Sequence, residues 1–347
     1  VSNVWNPEKT WAFVAGLLEW ENDDIYSSFP AENRRDEQLV ELLIERGVPE
    51  DQVWYLQDAD ATTEAIAAAM EEHLQNAPAD ATLLVYYSGH GVLYDDGSVY
   101  FASYDADDDE NPGWAVSDIP DAIEQHFAGN RAILLADSCH SGRLIDAVLA
   151  KRRRVAYAAF GSSLASELST GNWTFTEAIL SALRGEAFTD VDGSNTITLA
   201  ELARHIQSEM AFAEEQVATF ATTSNFDPNF VLASAQPRHD KRLGSNVAVY
   251  EDDLWYLGQV TGVRKGELRV RYYGLEEIED EWVSVEAART LGRPRYAIGS
   301  TVEVKAEGKW HVATVKDERA GVHYVAYDDF DEMWNEWVST RRIRPLA

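Results

Sequence analysis

Eleven residues, Ala132 to Gly142, read AILLADSCHSG. The apolar run Ile133 to Ala136 breaks into Asp137, Ser138, Cys139, His140, Ser141 and Gly142, the pattern of a buried strand that delivers a small polar loop at its carboxyl end. In open parallel sheets, sites form there. Cys139 is the only cysteine in 347 residues, so it has no disulfide partner within the chain and no second thiol for a metal site. A lone cysteine is commonly a small buried hydrophobe. Thr82 to Gly91, TLLVYYSGHG, argues for more: it too ends an apolar run in a glycine-flanked polar tip, and that tip carries His90. His90 precedes Cys139 by 49 residues, which suits one helical crossover between neighbouring parallel strands and sets both side chains at one sheet edge.

The pairing has a chemical reason. A thiol is mostly protonated near neutral pH, and an adjacent imidazole can take its proton and later protonate a leaving amine. Gly89 and Gly91 allow a turn that aims amide donors at a tetrahedral oxyanion; the amides of Gly91 and Cys139 are the candidates. A hydrogen-bonded loop histidine is the plain alternative for His90, and the nearby cysteine favours the chemical reading.

SGHG at 88–91 and DSCHSG at 137–142, in that order and spacing, resemble the caspase-like clan of cysteine peptidases. The likeness is closer to the metacaspase and bacterial branch than to animal caspases, and it spans roughly Trp11 to Ser234. It implies an α/β three-layer sandwich around a mainly parallel sheet of six strands. It also implies His90 as general base and acid and Cys139 as nucleophile. In metacaspase-like enzymes the aspartate at the position of Asp137 lines the pocket for the residue before the cleaved bond and selects Arg or Lys; a loop or helix cap is its alternative. There is one departure. Where relatives place a further aspartate at the start of the first helix, this chain reads Asn33, Arg34, Arg35, Asp36, and an arginine facing the pocket would defeat a basic preference.

Two further features accompany the resemblance. The basic run Lys151, Arg152, Arg153, Arg154 falls where caspase-like enzymes carry a processing loop, which implies self-cleavage; a solvated turn is the alternative. Calcium activation is implied at Asp105 and Asp146, with Asp118 or Asp121 between them and Asp107, Asp108 and Asp109 nearby. Independently, DVDGSNTITLAE places Asp190, Asp192, Ser194, the Thr196 carbonyl, Thr198 and Glu201 at positions 1, 3, 5, 7, 9 and 12 of an EF-hand-like loop. Asn195 replaces the usual glycine at position 6. Thr198 and Glu201 equally make a capping box for the next helix, and the capping reading is favoured.

The elements that must position these groups follow the α/β grammar. Strands are expected at Trp11–Leu18, Val53–Leu56, Thr82–Ser88, Ile133–Ala136, Arg154–Phe160 and Phe230–Ala233, with helices at Ala31–Arg46, Thr62–Gln75, Ser117–Phe127, Thr174–Leu183 and Leu199–Gln216. A hairpin from Val92 to Tyr104 turns at Asp95, Asp96 and Gly97. The peptidase-like domain is expected to occupy residues 1–236.

Beyond the linker Pro237 to Arg242 the pattern changes to short alternating strands, and an ungapped internal repeat appears at an offset of 55. Gly244, Val247, Trp255, Val260, Tyr272, Glu281 and Trp282 recur as Gly299, Val302, Trp310, Val315, Tyr327, Glu336 and Trp337. Two small all-β, SH3-like barrels are expected at 243–292 and 296–347. RVRYYGLEEIEDEWV and YVAYDDFDEMWNEWV resemble Tudor, chromo-barrel and agenet-like modules. In that family an aromatic cluster at a barrel mouth holds a free or methylated cationic side chain. Trp255, Tyr272 and Tyr273 are the candidates in the first unit, and Trp310, Tyr327 and Trp334 in the second; filling the barrel core is the alternative, as expected for Trp282 and Trp337. Acidic stretches at 276–281 and 328–332 suit a basic peptide.

The formal charge of −31 argues against nucleic acid and anionic membranes as partners. No segment reads as a signal peptide or spanning helix, and the single cysteine makes a cytoplasmic location the default. The sequence therefore reads as a cysteine endopeptidase that cleaves after Arg or Lys, needs no cofactor for its chemistry, admits calcium as activator, and acts as a monomer on protein substrates. A non-catalytic scaffold working through its Tudor-like repeats and a calcium-sensing regulator are the rival readings.

Overall fold

The fold is that of a computed structural model, which describes residues 3–31, 34–107, 110–165, 172–275, 280–292, 295–306, 308–319, 321–328, 330 and 334–346. Asn33, Asp108, Asp109 and much of the acidic stretches 276–281 and 328–332 lie outside the described residues.

The first domain runs β1 (Thr10–Gly16), α1 (Arg35–Glu45), β2 (Val53–Gln57), α2 (Thr63–Asn76) and β3 (Thr82–Ser88). A small sheet of β4 (Gly91–Leu93), β5 (Val99–Phe101) and β6 (Trp114–Ala115) follows, then α3 (Asp118–His126), β7 (Arg131–Asp137) and α4 (Arg143–Leu149). Next come β8 (Ala156–Gly161), α5 (Thr174–Leu183), β9 (Thr196–Thr198), α6 (Leu199–Ala213), β10 (Thr219–Thr222) and β11 (Val231–Ser234). The main sheet has the order β10-β8-β7-β3-β1-β2, with β10 antiparallel and the rest parallel. This is the expected six-stranded sandwich, but its sixth strand is β10 rather than the expected Phe230–Ala233, which lies in β11 and pairs with β9 in a separate two-stranded sheet.

Its strands are apolar on both sides, so their residues alternate between two cores. In β3, Leu83, Val85 and Tyr87 meet α2 and α3 on one face, while Leu84 and Tyr86 meet α1, α5 and α6 on the other. The ends of β1, β3 and β7 align, because Gly16 pairs with Ser88 and Ser88 with Asp137.

Two helices are shorter than the sequence implied. α1 starts at Arg35 rather than Ala31, because Arg34 is extended and its buried guanidinium binds Asp36 at 2.8 Å and the Gly16 carbonyl at 2.8 Å, together with Asp58. α6 stops at Ala213, because Glu215 takes a left-handed backbone (φ 59) that no helix can continue through.

The repeat becomes two antiparallel five-stranded modules. The first holds β12 (Asn246–Glu251), β13 (Leu254–Arg264), β14 (Glu267–Tyr272), β15 (Glu281–Ser284) and β16 (Ala288–Thr290). The second holds β17 (Thr301–Ala306), β18 (Lys309–Arg319), β19 (Val322–Tyr327), β20 (Glu336–Ser339) and β21 (Ile343–Pro345). The orders β15-β14-β13-β12-β16 and β20-β19-β18-β17-β21 are equivalent, and so are the bulges after Val260 and Val315 that curl each sheet. Valines fill each core. Trp282 and Trp337 do not, contrary to expectation: they alternate outward from the valines beside them. Trp282 is 38% exposed under the Arg264 guanidinium, and Trp337 packs against Leu164, Ala211 and Val217 of the first domain. No helix among the described residues is long and apolar enough to cross a membrane.

Candidate active site

β3 and β7 are neighbours in parallel register, and His90 and Cys139 each lie two residues past the terminal pair Ser88 and Asp137. Equal overhang from adjacent strands carries imidazole and thiol to one edge. The two tips touch. A Cβ added to Gly91 would lie 2.0 Å from the Cys139 carbonyl oxygen, so only hydrogen fits between them. Gly91 faces Phe101 as a non-hydrogen-bonded pair, since the adjoining ladder bond runs from the Ala102 amide to the His90 carbonyl. The Gly91 amide is thereby left out of the strand ladder.

His90 is held tightly. Its ring lies 4.5 Å from Trp20, 4.6 Å from Phe29 and 5.7 Å from Tyr26, and its Nε2 is 2.9 Å from the Ser27 carbonyl oxygen. A carbonyl only accepts, so Nε2 carries the proton and Nδ1 remains the acceptor. Burial lowers the His90 pKa, which keeps the imidazole neutral and ready to act as a base. Neither Ser27 nor the aromatic trio was legible in advance, because they come from a loop whose only signal is its aromatic content.

The loop around Cys139 is pinned to the end of β8. The Ser138 amide donates to Ser162 Oγ at 3.1 Å, Ser163 Oγ donates to the Ser138 carbonyl at 3.1 Å, and the Ser163 amide donates to Ser141 Oγ at 3.1 Å. His140 sits in the left-handed region (φ 57) with Nδ1 3.2 Å from the Ala165 carbonyl, which turns it away from the role of base. Cys139 itself is half-buried.

Asp137 is buried beneath this loop and accepts a hydrogen bond from Thr176 at 2.7 Å. Desolvation pushes its pKa up to about 7. Among the described residues it has no basic partner. The two arginines that threatened a basic pocket are engaged elsewhere: Arg34 with Asp36 and Asp58, Arg35 with Glu177.

The other candidate residues scatter. Asp105 accepts from the Thr63 amide at 2.8 Å and from Ser103 at 2.9 Å, at the start of α2; Asp146 pairs with Arg143 at 3.1 Å. Neither joins a three-acid cluster among the described residues. Asp190, Asp192 and Glu201 do: their oxygens lie within 4.8 Å of one another, and Asn195 is left-handed (φ 65) as position 6 requires. These donors fit a hard divalent cation. The capping box is also formed, with Glu201 Oε2 accepting from the Thr198 amide at 3.0 Å and Oε1 from the Val191 amide at 3.1 Å. Ser194 Oγ turns toward Thr196 instead, at 2.9 Å from its hydroxyl.

In the basic run, Lys151 and Arg153 bind Asp121, Arg153 also reaches the Ala147 carbonyl, and Arg154 binds the Phe127 and Gly129 carbonyls. Arg152 is exposed. The module aromatics do not form the two clusters expected. Tyr272 is buried and donates to Glu281 at 2.5 Å, Tyr273 points at Glu209 of α6, and only Trp255, beside Tyr250, is open. In the second module Arg344 covers Trp310 at 3.9 Å, whereas Tyr327, Phe330 and Trp334 form a chain of rings with His311.

Comparison with known proteins agrees with this geometry. The Caspase domain family matches residues 36–230, and the Agenet domain family matches residues 299–347. The crystal structure of protein GSU0716 from Geobacter sulfurreducens is 16% identical, covers 66% of this chain and 100% of its own, and has a TM-score of 0.49. No curated protein matches. With two loop tips meeting at the edge of a six-stranded sandwich, and a family match over more than half its length, the chain belongs to the caspase-domain family of cysteine peptidases.

Proposed function

We propose that this chain is an endopeptidase that cleaves proteins after Arg or Lys through a Cys139–His90 dyad. The observation that carries the reading is the equal overhang of the two residues from paired strand ends, with Gly91 closed against the Cys139 carbonyl. His90 Nδ1 takes the thiol proton as Sγ attacks the scissile carbonyl carbon. The amides of Gly91 and Cys139 receive the negative charge that develops on oxygen. The imidazolium gives its proton to the leaving amine, and a water activated by the same ring then hydrolyses the thioester, releasing the acid and restoring the thiol. Asp137, buried without a basic partner, ionises as a substrate Arg or Lys enters.

Subsidiary proposals belong to the same reading. Calcium activates from the Asp190, Asp192, Glu201 loop, where the bound cation would rigidify the start of α6. Self-cleavage follows Arg152, an exposed member of the basic run that lies outside the pairs made by Lys151, Arg153 and Arg154. The His311, Tyr327, Phe330, Trp334 surface takes a basic or methylated peptide. The enzyme works as a cytoplasmic monomer.

A positional peptide library, run with and without calcium, tests the core of this. Cleavage confined to Arg or Lys, lost in Cys139→Ala, is expected; cleavage after other residues sinks the role of Asp137. A peptide electrophile that leaves Cys139 unlabelled would sink the enzyme and leave the scaffold reading. On gels, an intact wild-type band under activating conditions removes self-cleavage, and calorimetry without calcium heat on Cys139→Ala removes the activator.

A further inference from the structure

The second module grips one turn of the peptidase domain, residues 211–217, from two sides. Val322 is fully buried against Ala211 and Val217, and Trp337 lies beside them and Leu164. On the polar side, Glu215 accepts from Ser339 Oγ at 2.6 Å and from Arg342 at 3.0 Å, with Arg341 at 3.8 Å. Arg341 also donates to the Ala213 carbonyl at 3.0 Å. A glutamate in a left-handed conformation is unfavourable by itself, so these contacts hold the turn in a shape the local sequence does not prefer.

The residue next to Glu215 faces the other way. Glu214 accepts from Asn172 Nδ2 at 2.9 Å and from the Thr174 hydroxyl in the first turn of α5. Thr176, in that same turn, donates to Asp137. Two carboxylates are thus held by hydroxyls two residues apart, and among the described residues neither has a basic partner. Glu214 remains half-exposed, lines an open cleft with Asn172, Trp255, Tyr273 and Arg341, and lies near enough to Asp137 for its charge to add to the rise in that carboxyl's pKa. Like charges left together in this way repel until a cation arrives.

We propose that Glu214 is a second residue selecting a basic substrate side chain, and that the second module, by clamping Glu215, is the device that positions it. This rests on the reading of Asp137 as the pocket acid. The module is then a structural part of the substrate site rather than a tethered passenger, and anything that loosens its grip on Glu215 weakens substrate selection while leaving the dyad intact. The coupling runs through directly bonded groups, Arg342 to Glu215, Glu214 to Thr174, and Thr176 to Asp137.

The test uses full-length protein and two matched peptides with Arg or its neutral isostere citrulline before the scissile bond. Glu214→Gln and Arg342→Ala are each expected to lower the Arg-to-citrulline ratio of kcat/KM by about tenfold, mainly through KM, the size of one lost charge contact. The rate of Cys139 alkylation should stay at its wild-type value. Glu215→Gln, which preserves the shape of the turn, should move the ratio the same way should Arg342→Ala fail to fold. A wild type that does not prefer Arg over citrulline overturns the Asp137 reading and this one together. A selective wild type whose Glu214→Gln variant stays equally selective overturns this one alone. Loss of selectivity in Glu214→Gln, with none in either Arg342→Ala or Glu215→Gln, overturns the positioning by the module.

Discussion

The two modules are copies that attach differently. Their interiors agree bond for bond: the Gly244 amide meets the Val260 carbonyl at 2.8 Å as Gly299 meets Val315 at 2.8 Å, and Tyr272 binds Glu281 as Tyr327 binds Glu336. Their attachments use the positions where the copies disagree. The first module docks through Arg271, buried among Glu177, Glu186 and Asp280, and through Tyr273 on Glu209; the second has Ala326 and Asp328 at those positions. The second docks through Val322, Arg341 and Arg342, where the first has Glu267, Glu286 and Ala287. Duplication preserved the core, and the surface diverged until each copy fitted a different place: α5 and Glu209 of α6 for the first, the turn that ends α6 for the second.

That difference can be broken. The largest effect is expected from Arg271→Ala, which takes the shared cation from Glu177, Glu186 and Asp280, leaves Glu177 to Arg35 and Asp280 to Arg269, and should remove about 3 kcal/mol from the stability of the full chain in urea. The mirror substitution, Ala326→Arg, should stay within about 0.5 kcal/mol. Similar losses in both would mean that the first module is not anchored as described.

Next in size is a pH effect on α5, the helix the first module braces. Asp137 titrates near 7 in the folded protein, far above an ordinary carboxyl, so the folded chain keeps a proton that the unfolded chain releases. The stability this group contributes is complete below about pH 4 and is lost as pH rises through 7, at up to about 1.4 kcal/mol per pH unit. Asp137→Asn should flatten that slope. Loosening α5 with Arg271→Ala should move the inflection of the wild-type slope downward; an unmoved inflection would mean that the first module does not support the pocket.

Smaller effects sharpen the shared part. Tyr272→Phe and Tyr327→Phe each remove one buried donor and should lose about 1 kcal/mol, equally, in thermal unfolding. Arg264→Ala should lose no more than about 1 kcal/mol, because Trp282, whose ring centre lies 4.1 Å beneath the guanidinium, is exposed to solvent. Arg319→Ala is its counterpart over the docked Trp337, and should lose more; equality there would blur the contrast between a free face and an attached one.

Legibility followed the range of the signal. The paired strand tips, the α/β alternation and the repeat were readable because each rests on local pattern: an apolar run ending in a polar tip, a period, an offset. The place of His90 and Cys139 just past two paired strands was read that way, and so was the Glu201 capping box. What failed needed knowledge of neighbours. Trp282 and Trp337 looked like core residues by size alone, yet they alternate to the outer side of valines that fill the small interior. Tyr273 looked like a ligand-binding ring and is an interface residue. Asp105 and Asp146 were expected to share a calcium site by resemblance, and they meet Thr63 and Arg143 separately. Ser27, Thr176, Ser162 and Glu214 carried no signal at all, since each matters only through the group it meets.

By its own pattern the sequence determined that two apolar strands would end in a histidine and a cysteine, and that two valine-cored copies would follow. Hydrophobic periodicity suffices for this, because burying apolar side chains leaves a strand few faces to present. Tertiary structure alone decided which imidazole nitrogen of His90 meets a carbonyl, that Asp137 would be dry, and that the two modules would dock through different residues. Those outcomes depend on carbonyls, hydroxyls and charges brought together from distant parts of the chain, and the strength of each such contact is set by burial, which exists only once the chain has folded.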